Sequence, residues 1–269
     1  MILQETIDLV LKKYHAAIEG LTITDVQIGL FMTVIRLSDG SAGTSSTLMP
    51  KDSDIHCKKS MRDYGDFTPL KITGKTVTEL FKFPTKNSLI QCMKIAALNA
   101  VSSNFIESGP YKVVHNTDPL DLMDLHSGKT ITVVGAFQSY IDKISKTNNQ
   151  LYVLELNEDA FFGEDKKYYV PANEYPRVLP QSDIVLITGL TLVNNTLDDL
   201  LAKIKPGAQV SVLGTSIGFI PDVIFKNKVN IVGTMKITDA ELLLKMASEA
   251  AAGYHMFKYC AEKICIVND

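Results

Sequence analysis

Five short apolar runs follow one another through the second half of the chain: TITVVGAF (130–137), LYVLEL (151–156), DIVLITG (183–189), AQVSVLG (208–214) and VNIVG (229–233). Segments with helical character, QSYIDKISK after the first run, 197–204 and 239–252, lie between or after them. Strands without a polar face must be covered on both sides, so this alternation predicts a parallel sheet between layers of helices. The first half reads differently. Leu3, Ile7, Leu11, Tyr14 and Ile18 recur at helical spacing up to a stop at Gly20. VQIGLFMTVIRL and GTSSTL, separated by SDGS, read as a hairpin, and 87–106 as a long, mostly buried helix. That is an α+β pattern. The fold class expected is therefore α/β: a small α+β unit over 1–126 and a sheet-and-helix unit over 127–269, divided in DLHSGK.

Several function classes are set aside by composition. A net charge of -3 over 269 residues gives no basic field to attract nucleic acid or an anionic membrane, and CKKSMR (57–62) reads as a solvated loop. The amino terminus is interrupted by Glu5 and Asp8 and lacks a secretory pattern. PGAQVSVLGTSIGFIP is too short and too broken to span a bilayer. Four cysteines in so long a chain suggest reduced thiols and a cytoplasmic setting.

The familiar motifs fail on inspection. TGKT (73–76) and SGKT (127–130) have Pro69 and Met123 where a phosphate-wrapping loop needs its first glycine. After the first run, Gly135 is in place, but Phe137 and Tyr140 stand where the dinucleotide fingerprint needs glycines. Glu155 has the spacing of a ribose-binding acid, so a nucleoside ligand without a pyrophosphate, such as S-adenosylmethionine, stays open. No Cys-x2-Cys pair exists; His56 and Cys57, adjacent in a polar stretch, are the most ligand-like pair.

What remains is the carboxyl rim of the predicted sheet, where open parallel sheets bind ligands. The rim carries Gly135 and Ala136, Glu155 and Asn157, the stretch from Thr188 to Thr196, then Gly214, Thr215 and Ser216, and finally Gly233 and Thr234. Capping explains one or two polar residues at the junction after 188, where Asn195 or Thr196 would start the helix at Leu197. It does not explain Thr188, Thr191 and Asn194 as well, which points to pocket lining.

TGLTLVNNTLDDLL, VLGTSIGFIPDVIF, VNIVGTMKITD, SLIQCMKIAALNAV and the hairpin VQIGLFMTV…GTSST together resemble the family labelled putative heavy-metal chelation. The resemblance covers nearly the whole chain, with Leu190 and Asn195 where Thr and Gly would be expected; Asn tolerates the left-handed conformation Gly would use. It implies an enolase-amino-terminal-like domain, a Rossmann-like domain and a ligand site in the cleft between them.

The expectation is a protein that binds a metal ion, or a metal-bearing or anionic small molecule, in that cleft. Gly135, Glu155, Thr188, Thr191, Asn194, Thr196, Gly214, Thr215 and Ser216 would face Thr44, Ser45 and Asn99 across it, with His56 and Cys57 as candidate metal ligands. Soft metals prefer thiolate and imidazole, whereas this rim offers hydroxyls, amides and one carboxylate. The alternative is a transferase or lyase using a nucleoside-bearing ligand, although the five strand ends contribute no His or Cys and only Lys236 follows the last of them closely. Nucleic acid and membrane are not expected partners, and homo-oligomerisation is left open.

Overall fold

The computed structural model describes residues 1–48, 65–84, 87–126 and 128–268. Its centre is one helix, Ser88–Ser108, of 21 residues. Asn87 starts it by accepting from the Leu89 and Ile90 amides at 2.9 and 3.3 Å. Ile90, Cys92, Met93, Ile95, Ala96, Ala97, Leu98 and Val101 bury different sides of the cylinder, and a helix apolar nearly all round belongs inside a core. By length and composition it could cross a membrane, yet 67% of its most apolar window is buried within this protein.

On one side lies a three-stranded antiparallel sheet of β1 (Ile23–Ile28), β2 (Met32–Leu37) and β3 (Ala42–Ser46), with β2 in the middle. The expected hairpin is β2–β3, and the stretch read as its first arm holds the second half of β1 as well. Gly43 governs the contact with the helix. A Cβ there would stand 2.2 Å from the Ala96 carbonyl oxygen and 2.3 Å from the Ala100 nitrogen, so only glycine lets β3 lie on the helix backbone.

On the other side is an eight-stranded sheet. Its strands are β4 (Lys112–His115), β5 (Thr130–Val134), β6 (Gln150–Glu155), β7 (Tyr169–Pro171), β8 (Ile184–Thr188), β9 (Gln209–Leu213), β10 (Ile231–Ile237) and β11 (Ala261–Val267). They lie in the order β4-β11-β10-β9-β8-β5-β6-β7. From β7 to β10 neighbours run parallel, while β11 and β4 are antiparallel additions. The parallel part has the doubly wound order, whose direction reverses between β5 and β8.

Successive side chains divide between two cores, as strand geometry requires. Val185, Ile187, Val210 and Val212 join the core built around the central helix. Ile184, Leu186, Ile131 and Val133 join a second core beneath the helix Gln138–Ser145. Each such side chain contributes about 1.5–3 kcal/mol by leaving water. The five expected strands are all present. β4, β7 and β11 add to them, and β4 enters the large sheet ahead of residue 126.

The Gly43 contact gives a clean expectation. Gly43→Ala should lower stability by about 3 kcal/mol or more in chemical denaturation, because backbone cannot move aside as a side-chain tip can. Gly20→Ala, where an added Cβ meets nothing within 4 Å, should change it little.

Candidate functional site

β10 pairs with β9 only from Ile231 to Gly233, whereas β11 follows it along its whole length. Its carboxyl half therefore runs on past the end of β9. A cavity of about 570 Å³ opens beside this overhang, between β10, the turn into β3 and the central helix. Thr44, Asn99, Thr215, Gly218, Thr234 and Lys236 are among its walls, with His115 and Glu107 at the side where Lys236 pairs with Glu107.

Hydrogen bonds stitch β3 to the loop after β9. Thr44 Oγ1 donates to the Thr215 carbonyl at 2.7 Å, and the Ser46 amide donates to Ser216 Oγ at 2.8 Å. Asn99 Nδ2 donates to the Thr44 and Thr215 carbonyls at 2.7 and 3.3 Å. Both amide hydrogens of Asn99 are thereby used, which turns its Oδ1 outward as a fixed acceptor. That oxygen is buried without a partner among the described residues, and so is Thr234 Oγ1. Gly218 lies between them: a Cβ there would be 3.1 Å from Thr234 Oγ1 and 3.5 Å from Asn99 Cγ. Ser102 and Ser211 also keep unpartnered hydroxyls, but neither lines the cavity. Native structures seldom leave such groups unpaired, so the Asn99–Thr234 pair marks a place where something else completes them.

The structure brings only part of the expected site together. Thr44, Asn99 and Thr215 line the cavity; Gly214, Ser216 and Ser45 lie just behind it, in or beside the stitched seam. The expected convergence of five strand ends needs correction, because the ends of β5, β6 and β8 are not among the cavity walls and their polar groups have local partners. Glu155 accepts from the amides of Ala136, Leu156 and Asn157 at 3.0, 2.6 and 3.1 Å. Gly135, at φ 101°, packs against Thr188, whose Oγ1 accepts from the Leu190 amide at 3.3 Å. Thr191 Oγ1 donates to the Thr188 carbonyl at 2.6 Å, and Thr196 Oγ1 donates to Asn194 Oδ1 at 2.7 Å.

The polar junction after β8 has a different task. A short helix, Leu190–Val193, ends there, and Gln91 of the central helix donates to the Leu192 and Val193 carbonyls and to Asn195 Oδ1. Asn195 takes φ 60°, the left-handed conformation that asparagine tolerates. The junction docks the central helix. His56 and Cys57 lie outside the described residues. Sequence reasoning passed over Gly218, counted His115 only as a residue of ligand type, and gave Thr234 and Lys236 no ligand role; the signal for the last two was their place on a strand that outruns its neighbour, which a sequence does not display.

The donor chemistry can be tested against a soft metal. Among the described residues no group of three or more His, Cys, Asp or Glu side chains could hold an ion. Cys92 and Cys265 are buried; burial pushes both thiols up, Cys265 to about 12, with Asp118 adding to the effect there. The hydroxyls and amides of the cavity wall do not fit a bare soft cation.

Fold and cavity together define a layered α/β protein with a cavity between a small antiparallel sheet and the carboxyl rim of a large mixed one. Two family models, both described as putative heavy-metal chelation, match residues 11–102 and 118–266; the second is DUF364, and the chain belongs to this family. An uncharacterized protein of Methanocaldococcus jannaschii is 25% identical over 276 residues, covering 98% of this chain and 96% of its own. A DUF364-family protein of unknown function from Pyrococcus horikoshii superposes with a TM-score of 0.79 at 21% identity over 100% of both chains. Another, from Desulfitobacterium hafniense, does so at 0.71 and 18% identity, over 97% of this chain and 100% of that one. These two structures share the fold.

One charged cluster is structural. Asp118 accepts from the Tyr140 hydroxyl and from Lys263 Nζ at 2.9 Å. Burial pushes its carboxyl up, but Tyr140, Lys263 and the Leu120 amide more than offset this and hold it below the usual carboxylate range. A depressed folded-state pKa stabilises above the unfolded value, near 3.9, and that stability disappears as pH falls through the folded one. Asp118→Asn should thus cost about 1–3 kcal/mol at pH 7. In urea titrations its deficit against the wild type should shrink steadily as pH is taken below about 4.

Proposed function

We propose that the chain binds a small polar molecule in the cavity between β3, the central helix and β10, of the metal-carrying chelate class that the family description suggests. The observation that carries this reading is the pair of unpartnered, buried atoms Asn99 Oδ1 and Thr234 Oγ1 on one wall. Asn99 can only accept there, so the ligand must present a hydrogen-bond donor such as an amine, an amide, a hydroxyl or metal-bound water. A simple anion suits the wall poorly: Asp39 and Glu107 border the cavity, and Lys236 is paired with Glu107. The metal would arrive held by its own chelator, since hydroxyl and amide walls are weak ligands for a soft ion.

An enzyme working on a nucleoside-bearing ligand is the second reading, favoured by the strand reversal between β5 and β8. Glu155 weighs against it, because three backbone amides already occupy most of the carboxylate's acceptor sites.

Thermal-shift and calorimetric titration separate these readings, using amino- and hydroxycarboxylate chelators with and without metal, and S-adenosylmethionine as the other arm. Stabilisation by a chelate should fall at least tenfold in affinity in Thr234→Val and in Gly218→Ala. Thr234→Val should itself be as stable as the wild type or up to about 1 kcal/mol more so, because it removes an unpaired buried hydroxyl. Chelate binding undiminished by both substitutions would sink the cavity reading; a shift with S-adenosylmethionine alone would favour the second.

A further inference from the structure

Away from this cavity, three sulfur atoms meet. The helix Ala240–Ser248 carries Met246, and the helix Gly253–Tyr259 carries Met256 and ends at Cys260. Cys260 Sγ lies 3.8 Å from Met246 Sδ and 3.6 Å from Met256 Sδ. Its backbone is pinned on both sides: the amide donates to the Met256 carbonyl at 2.9 Å, and the carbonyl accepts from the Thr238 amide at 2.9 Å.

We propose that Met246, Met256 and Cys260 form a binding site for a soft monovalent cation, copper(I) or silver(I). Thioether and thiolate sulfur is the donor set that such ions select, and oxygen-seeking cations such as magnesium or calcium are poorly held by it. Three sulfurs sharing one ion at about 2.3 Å sit about 4 Å apart in a plane, close to the two separations found here. Methionine and cysteine also pack well as plain core residues. What separates this cluster from packing alone is its access. Cys260 and Met256 are fully buried, but Met246 forms part of the wall of a surface groove of about 420 Å³ that His255 and Glu249 also line. The imidazole is held at the groove by the Ala252 amide, which donates to His255 Nδ1 at 3.0 Å. An ion entering there meets the Met246 side chain first, with the buried Cys260 thiol 3.8 Å from its sulfur. The metal binds in the +1 state, so no electron is exchanged; one metal–sulfur bond forms as the Cys260 S–H bond breaks, and the proton passes to solvent. The site is separate from the cavity and gives the soft-metal sense of the family description a place that hydroxyls and amides do not provide.

The test is an anaerobic titration of the full-length protein with copper(I) against a competing copper(I) chelator, with X-ray absorption on the loaded sample. The wild type should hold one equivalent in an all-sulfur shell. Met246→Leu and Met256→Leu, chosen because they conserve volume and fold, should each lose at least tenfold in affinity, and Cys260→Ala at least as much. Cys57→Ala and Thr234→Val should bind as the wild type does, the latter keeping this site distinct from the cavity. The proposal is overturned if the wild type retains no equivalent, if the Met246→Leu/Met256→Leu double variant binds at full strength, or if the bound equivalent follows Cys57.

Discussion

Between Gly43 and the backbone of Ala96 and Ala100 there is no room for a methyl group, and that approach fixes how far the small sheet stands from the central helix. The helix in turn is packed against the valines and isoleucines on one face of the large sheet, so its position is set from both sides. Interiors are packed as densely as organic crystals, and a spacing set at one contact is transmitted to the next. The seam from Thr44 and Ser46 to Thr215 and Ser216 closes only at that spacing, and the cavity is the space left where the seam ends and β10 continues.

The two candidate sites follow different chemistries, and the fold keeps them apart. Around the cavity the wall mixes hydroxyls and amides with a few charged side chains, and backbone carbonyls take up the donors of Thr44 and Asn99 while Asn99 Oδ1 and Thr234 Oγ1 stay buried without a partner among the described residues. Around Cys260 the neighbours are hydrophobic, with Leu243, Ala247 and Ala251 in the same core beside the methionine sulfurs. Such surroundings leave a polar molecule nothing to bond with. A family description that mentions heavy metals can thus draw on either a chelate held by hydrogen bonds or an ion held by sulfur.

Much of this architecture was legible in the sequence. TITVV, DIVLIT and AQVSVL announce strands covered on both faces because each is a short, mostly apolar run with few charges, and the apolar circumference of 87–106 announces a buried helix. β7 was missed because it is three residues long, and β11 because Glu262 and Lys263 break up its apolar run. Thr44, Asn99 and Thr215 were expected by residue type and placement, and they line the cavity. Glu155 and the Thr188–Thr196 junction, expected at the cleft, hold local partners instead, for one reason: a sequence shows which groups can hydrogen-bond, but not whether the adjacent backbone has already claimed them. Gln91 settles the matter at the junction, and it comes from an element a hundred residues earlier in the chain. The Met–Cys cluster could not be foreseen, since Met246 and Cys260 are on different helices and meet only when the two pack.

β4 leads directly from the central helix into the large sheet, where it covers the seven-residue β11 with a strand of four residues. At the opposite border β7 has three residues and ends in Pro171, which has no amide hydrogen to offer. Both margins are therefore blunted by short edge strands, although β4 pairs only with Ile264–Val267 of β11 and β7 only with Val153–Glu155 of β6. A fragment trimmed to begin after residue 126 would lose this cover and leave β11 with an unpaired edge.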